Sequence, residues 1–243
     1  MKVAITGAGG VLGQALLPRL AAVHEVSPTD IIGTNEPANV LIPEDMSRLC
    51  AGNEMVIHLA QACGRVELSD AENETAVLDT RLTGTYNLLE AAAEAGVRQV
   101  IQISDVCVYS GYPKEIVVSE DFVPLPDTSA VQQSIYLSEL IARAFSRSNP
   151  GLPLTLRLGT LVESAKLPTD AVFDPSWLDI DDAVDAILRA LDIERYDPIS
   201  NWGLYNLTAD QPRHRFSLLK IKSGVLGFQP QRDFAAWISS EAS

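Results

Sequence analysis

Cysteine is scarce in this chain, and so is positive charge. Cys50, Cys63 and Cys107 are the only thiols in 243 residues. Three scattered cysteines cannot form a disulfide framework, and their spacing suits no zinc site, so reduced thiols in a cytoplasmic setting are expected. Lys and Arg total 18 against 32 Asp and Glu, a formal net charge of -14. Phosphate backbones and anionic lipid are held by clustered Lys and Arg, so nucleic acid and membrane surface are poor partners for such a chain. Long apolar runs are lacking too. The N-terminal stretch after Lys2 imitates a signal peptide, but Gly7, Gly9 and Gly10 interrupt it before an apolar core develops.

What is present is informative from the first residues. Val3–Ile5 is a short apolar run followed by Thr6-Gly-Ala-Gly-Gly-Val-Leu-Gly13 and then Gln14-Ala-Leu-Leu-Pro-Arg-Leu-Ala-Ala-Val23. This order predicts a strand, a glycine turn and a helix. Glycines let backbone approach phosphate oxygens, and the helix start offers unpaired N–H groups and the positive end of its dipole. A dinucleotide pyrophosphate would dock against Gly7, Gly10, Val11, Leu12 and Gly13. The spacing is G-x-x-G-x-x-G, which matches the general dinucleotide pattern only in part.

Asp30 strengthens the reading. It ends a second predicted strand that begins at Glu25-Val26, about 20 residues past the glycines, where a carboxylate can hold ribose hydroxyls. It would repel a 2′-phosphate, and no Lys or Arg follows it, so NAD is expected over NADP. A plain turn role for Asp30 is the competing account. Pro28 fits poorly in a central strand because it cannot donate a ladder hydrogen bond.

Further apolar runs at Met55–Leu59, Val100–Ile103 and Leu154–Leu158 read as buried strands. Helical patterns separate them: 79–95 ending at Gly96, 130–147 ending at Asn149-Pro-Gly, and 180–191 opening on aspartates. Alternation of this kind predicts an α/β fold with a Rossmann-type doubly wound parallel sheet. One domain over 1–243 is expected, with 1–158 mainly nucleotide-binding and 159–243 a small irregular cap on the substrate side.

Seven short motifs, in order, resemble the extended short-chain dehydrogenase/reductase family, the NAD-dependent epimerase/dehydratase group. Besides the glycine turn they are Asp45-Met46, His58-Leu59-Ala60, Gly84-Thr-Tyr-Asn-Leu-Leu-Glu-Ala-Ala92, Val108-Tyr109, Leu156-Arg157-Leu158, Leu204-Tyr-Asn206 and Leu226-Gly-Phe-Gln-Pro230. The resemblance implies an adenine contact at Asp45 and Met46 and a cofactor-facing strand end at Leu59, Ala60 and Gln61. It also implies pairing of two chains into a homodimer, and a small carbohydrate-like substrate such as a uronic acid. His58 by itself is more often a packed strand residue than a catalytic one.

The same resemblance implies a Tyr-x-x-x-Lys pair for proton transfer, and here the chain departs from it. Tyr136 matches the tyrosine, but Leu140 stands four residues on, and no tyrosine in the chain has Lys at that spacing. Asp105 stands at the Ser/Thr position, and Arg81 replaces the helix Asn. Without a neighbouring cation a tyrosine titrates near roughly 10, too high for efficient base catalysis at neutral pH. The expectation is an NAD-binding protein with weak or no oxidoreductase activity. Tyr136, Asp105 and Ser104 are the candidates for any residual chemistry. Lys114, Arg81 and Cys107 are alternative rescuers, and an active oxidoreductase or epimerase working by a modified mechanism is the competing function.

Overall fold

The computed structural model describes residues 1–31, 37–61, 69–193, 202–212 and 214–238; Cys63 and Pro198 lie outside them. Six strands form one parallel sheet: β1 (Lys2–Thr6), β2 (Glu25–Thr29), β3 (Met55–His58), β4 (Gln99–Asp105), β5 (Pro153–Leu158) and, after two short strands, β8 (Gly203–Leu207). Their spatial order is β2-β1-β3-β4-β5-β8, and every pairing is parallel. β6 (Thr160–Val162) and β7 (Trp177–Asp179) pair with each other outside this sheet. The expected doubly wound parallel sheet is therefore present. The chain steps outward from β1 to β2 and then back across to β3, which opens a crevice at the carboxyl ends of β1 and β3.

Side-chain alternation along the strands explains the two layers. Val3, Ile5, Met55 and Ile57 point to one face, where they pack with Leu12, Leu16 and Leu20 of α1 (Val11–Ala21) and with Ala183, Val184 and Ile187 of α5 (Ile180–Leu191). Ala4, Val56 and Val100 point to the other face. There they meet Met46 and Leu49 of α2 (Pro43–Cys50), Leu88 and Leu89 of α3 (Asp70–Ala95) and Ala142 of α4 (Ala130–Ser148). A period of two along strands buried on both sides gives near-continuous apolar runs, which is why these strands are readable from sequence.

Three details depart from expectation. β2 is an edge strand of the described sheet, paired only with β1, so Pro28 opposite Ile5 has a free side on which its missing N–H costs nothing. α3 begins at Asp70, nine residues before the expected start, because Ser69 and Glu72 form a reciprocal capping box; Gly96, in the left-handed region at φ 72°, closes its other end. α2, absent from the expected elements, opens on Pro43 at its first turn. Beyond β8 come two short helices, α6 (Leu219–Ser223) and α7 (Ala235–Ile238). Phe173, Trp177 and Phe234 form a small aromatic core there, and Asp182 of α5 accepts the backbone N–H groups of Gln231 and Arg232, both at 2.9 Å.

Candidate functional site

The glycine turn is built by close backbone approach. Gly7 has φ +72°, and a Cβ there would lie 2.7 Å from the Ala60 nitrogen; one at Gly13 would lie 2.6 Å from the Ala8 oxygen. Strand, turn and helix can pack this tightly only without side chains at these two positions. Gly10 differs: a Cβ would meet nothing nearer than the Gly7 oxygen at 3.4 Å, so this glycine fronts open space. Gly10 is also the N-cap of α1, with no side-chain cap and no acidic residue in the first turn. Among the described residues, no side chain caps the first N–H groups of this 11-residue helix, which open on the crevice. A diphosphate fits that donor set.

Asp30 stands beside the turn. Its Oδ2 accepts the Gly9 N–H at 2.9 Å and its Oδ1 that of Ile31 at 2.7 Å, so the carboxylate is oriented at the exit of β2. Val11 is exposed, whereas Leu12 and Gly13 are buried, leaving their backbone rather than side chains to face a ligand. Leu59 and Ala60 are half-buried and Gln61 exposed along the exit of β3.

Asp45 and Met46 are placed less simply. Asp45 Oδ2 accepts the Asn39 N–H at 2.8 Å, while Arg48 bonds its other oxygen at the same distance, and these contacts hold its carboxyl below the usual range. It lines a cavity of about 170 Å³ together with Thr29, Ala38 and Leu49. Met46 has no exposed surface and packs in the core. A direct ligand contact by the Met46 side chain would need that core to open.

At the exit of β4 the polar side chains are already engaged. Ser104 is buried and its Oγ donates to Glu139 at 2.5 Å, which leaves it no free hydroxyl proton for a substrate. Asp105 Oδ1 accepts the Cys107 N–H at 2.7 Å, capping the 3-10 turn Val106–Tyr109. His58 is buried between Thr6 Oγ1 at 2.7 Å and Thr85 Oγ1 at 3.3 Å. Burial first, and the Arg81 charge second, push its pKa down to about 4, so it is neutral and structural near pH 7. Cys107 is held as a thiol: burial, then Asp105, pushes its pKa far upward.

Beneath this layer is a buried ion pair that the sequence motifs do not isolate. Arg157 of β5 reaches Glu139 of α4 through Nε at 2.8 Å and Nη2 at 2.6 Å, and it also donates to the Tyr109 hydroxyl. That hydroxyl in turn donates to the Ser119 carbonyl at 2.9 Å. Burial pulls the Arg157 pKa down, but Glu139 and Tyr109 outweigh it and the net change is upward. The available signal is Glu139 itself, a carboxylate on the same helical face as Ile135 and Ala142.

That face also decides what α4 offers the crevice. Ser138 meets Gln102 of β4 at 3.1 Å and Glu139 meets Ser104, so the row 131, 135, 138, 139 and 142 looks toward β4. Ile135 on this row is buried against the Val106–Tyr109 turn, and Val131, one turn earlier, is half exposed. Tyr136 is rotated off it and is half-buried against the Val106–Tyr109 cluster. Leu140 is 39 % exposed, turned nearly opposite to the row. A residue at position 140 therefore points away from β4, and the row that faces β4 carries Ile135, Ser138 and the carboxylate Glu139. Lys114 is exposed on the loop beyond Pro113.

The model of the NAD-dependent epimerase/dehydratase family matches residues 3–172. The chain belongs to that family. Among curated relatives, a 3-diazoavenalumate denitrifying reductase from Streptomyces is 28% identical over 97% of this chain and 85% of its own length. A uronate dehydrogenase from Pseudomonas syringae is 25% identical over 78% of this chain and 69% of its own length. The crystal structure of uronate dehydrogenase from Agrobacterium tumefaciens superposes with a TM-score of 0.81 at 19% identity, covering 100% of this chain and 89% of that one. The extended short-chain dehydrogenase/reductase resemblance and its Rossmann fold are therefore correct. The family cofactor, NAD, suits the Gly10 crevice and the Asp30 carboxylate described above.

Proposed function

We propose that this chain is an NAD-binding oxidoreductase-family protein with weak or no activity on sugars and uronic acids. The observation that carries this is that Leu140 is turned away from β4, so no cation stands one turn after Tyr136, while Ser104 and Asp105 are already bonded within the protein. Bound NADH would supply a hydride at the crevice between the β1 and β4 exits. Gly7 and Gly13 permit the close backbone packing, Gly10 and the start of α1 take the diphosphate, and Asp30 holds the ribose. The protein works as one nucleotide-binding unit over 1–158 with 159–243 as its cap, in the cytoplasm. Tyr86, Leu137 and Leu140, exposed on the outer sides of α3 and α4, suit a homodimer seam.

One relative favours a second reading. Its name describes loss of nitrogen from a diazo compound. When hydride adds to an aryl diazonium ion, the C–N bond breaks, dinitrogen leaves with the bonding pair and an aryl C–H bond forms; no alkoxide arises, so no acid is required. A crevice stripped of its proton-transfer pair is compatible with that class of acceptor.

The test has two arms. NADH fluorescence titration should show saturable binding that Asp30→Ala and Gly10→Trp abolish; unchanged affinity in both variants removes the site. Uronic acids and neutral sugars should then give no NAD reduction, while NADH with an aryl diazonium salt distinguishes the second reading by its product arene. Robust uronate oxidation refutes the proposal.

A further inference from the structure

Gly9 and Gly10 stand side by side, both exposed, at the exit of β1. The peptide unit between them has no Cβ on either flank, so its rotation meets no side-chain barrier and hydrogen bonds alone decide which way it faces. Both of its polar ends are bonded. The Gly10 N–H donates to the Gly7 oxygen at 3.2 Å, closing the turn, and the Gly9 oxygen accepts from Gln14 Nε2 at 3.0 Å. The units before it are held as well: the Gly9 N–H donates to Asp30 Oδ2 at 2.9 Å, and the Ala8 N–H to the Thr29 oxygen at 3.1 Å.

Gln14 is bonded to this turn twice. It lies in the first turn of α1, where its main-chain N–H donates to the Gly10 oxygen at 2.9 Å while its side chain bends back to the Gly9 oxygen. It therefore grips two successive carbonyls. With both drawn toward Gln14, the helix start offers the crevice N–H groups rather than oxygens. A Gly9–Gly10 unit turned over would break two hydrogen bonds and set the Gly9 oxygen against the Gly7 oxygen. It would also bring the negative end of a peptide dipole to the place assigned to the diphosphate. Gln14 is itself exposed, so removing its amide leaves the core untouched.

We propose that Gln14 is a positioning residue of the diphosphate turn: its side-chain amide holds the Gly9–Gly10 peptide in the orientation that keeps carbonyl oxygens out of an anion's way. The proposal rests on the dinucleotide reading of the crevice and extends it from the backbone donors to the side chain that sets them. Asp30 grips Gly9 from the other side and also stands where the ribose is assigned, so Gly9 joins the two ends of an adenosine diphosphate. Gln14 acts on the diphosphate end alone. One hydrogen bond of this kind changes an equilibrium by about threefold to tenfold.

The variant that tests it is Gln14→Met, which keeps side-chain length and helix propensity but has no donor. Calorimetry with ADP and fluorescence titration with NADH should both show affinity lower by about threefold to tenfold, with adenosine unchanged. The melting temperature of the cofactor-free protein should move by no more than about 2 °C, as for other surface changes. Amide hydrogen exchange followed by NMR, again without cofactor, should show Gly10 exchanging about threefold or more faster in Gln14→Met. Gln14→Lys, which restores a donor, should return Gly10 to the wild-type rate. Unchanged ADP affinity, equal weakening of adenosine and ADP, or an unchanged Gly10 rate overturns the proposal. If wild-type protein binds neither ADP nor NADH, the dinucleotide reading fails by itself, and the exchange measurement still judges whether Gln14 holds the turn.

Discussion

At the exit of β1 recognition is written in the main chain; at the exit of β4 it depends on side chains. Gly7, Gly10 and Gly13 leave little freedom, because a Cβ at the first or third would press into backbone and one at the second would enter the open space to which we assign the diphosphate. Around β4, Ser104, His58, Asp105 and Tyr109 all have partners within the protein. The fold keeps its polar network there whether or not a substrate is handled. Backbone-built binding and side-chain chemistry are thus separable in this molecule, and losing the second need not disturb the first.

The sharpest way to break that comparison is to attack the ion pair beneath β4. Glu139→Gln or Arg157→Met alone strands a buried charge or donor, with an expected loss of about 3–5 kcal/mol in urea unfolding. The double change Glu139→Leu with Arg157→Met removes both charges and should recover much of that loss. NADH affinity should be retained in the double variant. If each single change costs less than about 1 kcal/mol, the network is not the structural floor described here.

A smaller effect separates the His58 contribution by pH. Its pKa is about 4 when folded against an ordinary 6.5. Between these values the unfolded chain binds a proton that the folded chain does not, so stability falls as pH drops through that window and is unaffected above it. The gap corresponds to about 3 kcal/mol at most. His58→Gln, still able to bond Thr6 and Thr85, should flatten the dependence between pH 6.5 and 4. An identical pH profile for wild type and variant would show that His58 is not buried neutral.

The same division governs how far the sequence can be read. Val3–Ile5, Met55–Leu59 and Leu154–Leu158 are legible as strands because burial on both faces makes them apolar throughout. The glycine turn is legible because a close approach permits only one residue type. Pro28 looks misplaced in sequence because strand order, which makes β2 an edge, is a property of the whole sheet. The start of α3 is hard to see although Ser69-x-x-Glu72 marks it, since 69–78 is too polar to show apolar periodicity. Asp105 could cap or catalyse on sequence alone, and the cap becomes visible only in the Cys107 N–H at 2.7 Å. Helical phase is the hardest quantity: spacing places Tyr136 and Leu140 together, but the Ser138–Gln102 and Glu139–Ser104 contacts fix which side of α4 faces β4.

The smallest expected effect tests that phase directly. If the row through Val131, Ile135 and Glu139 faces the crevice, a lysine at position 140 points away from it, and Leu140→Lys should change neither NADH affinity nor sugar turnover. Its stability should shift by no more than about 0.5 kcal/mol in a monomer, as for other surface substitutions. Activity restored by Leu140→Lys alone, measured as NAD reduction, would reverse the assignment of faces and return Tyr136 to the centre of the site.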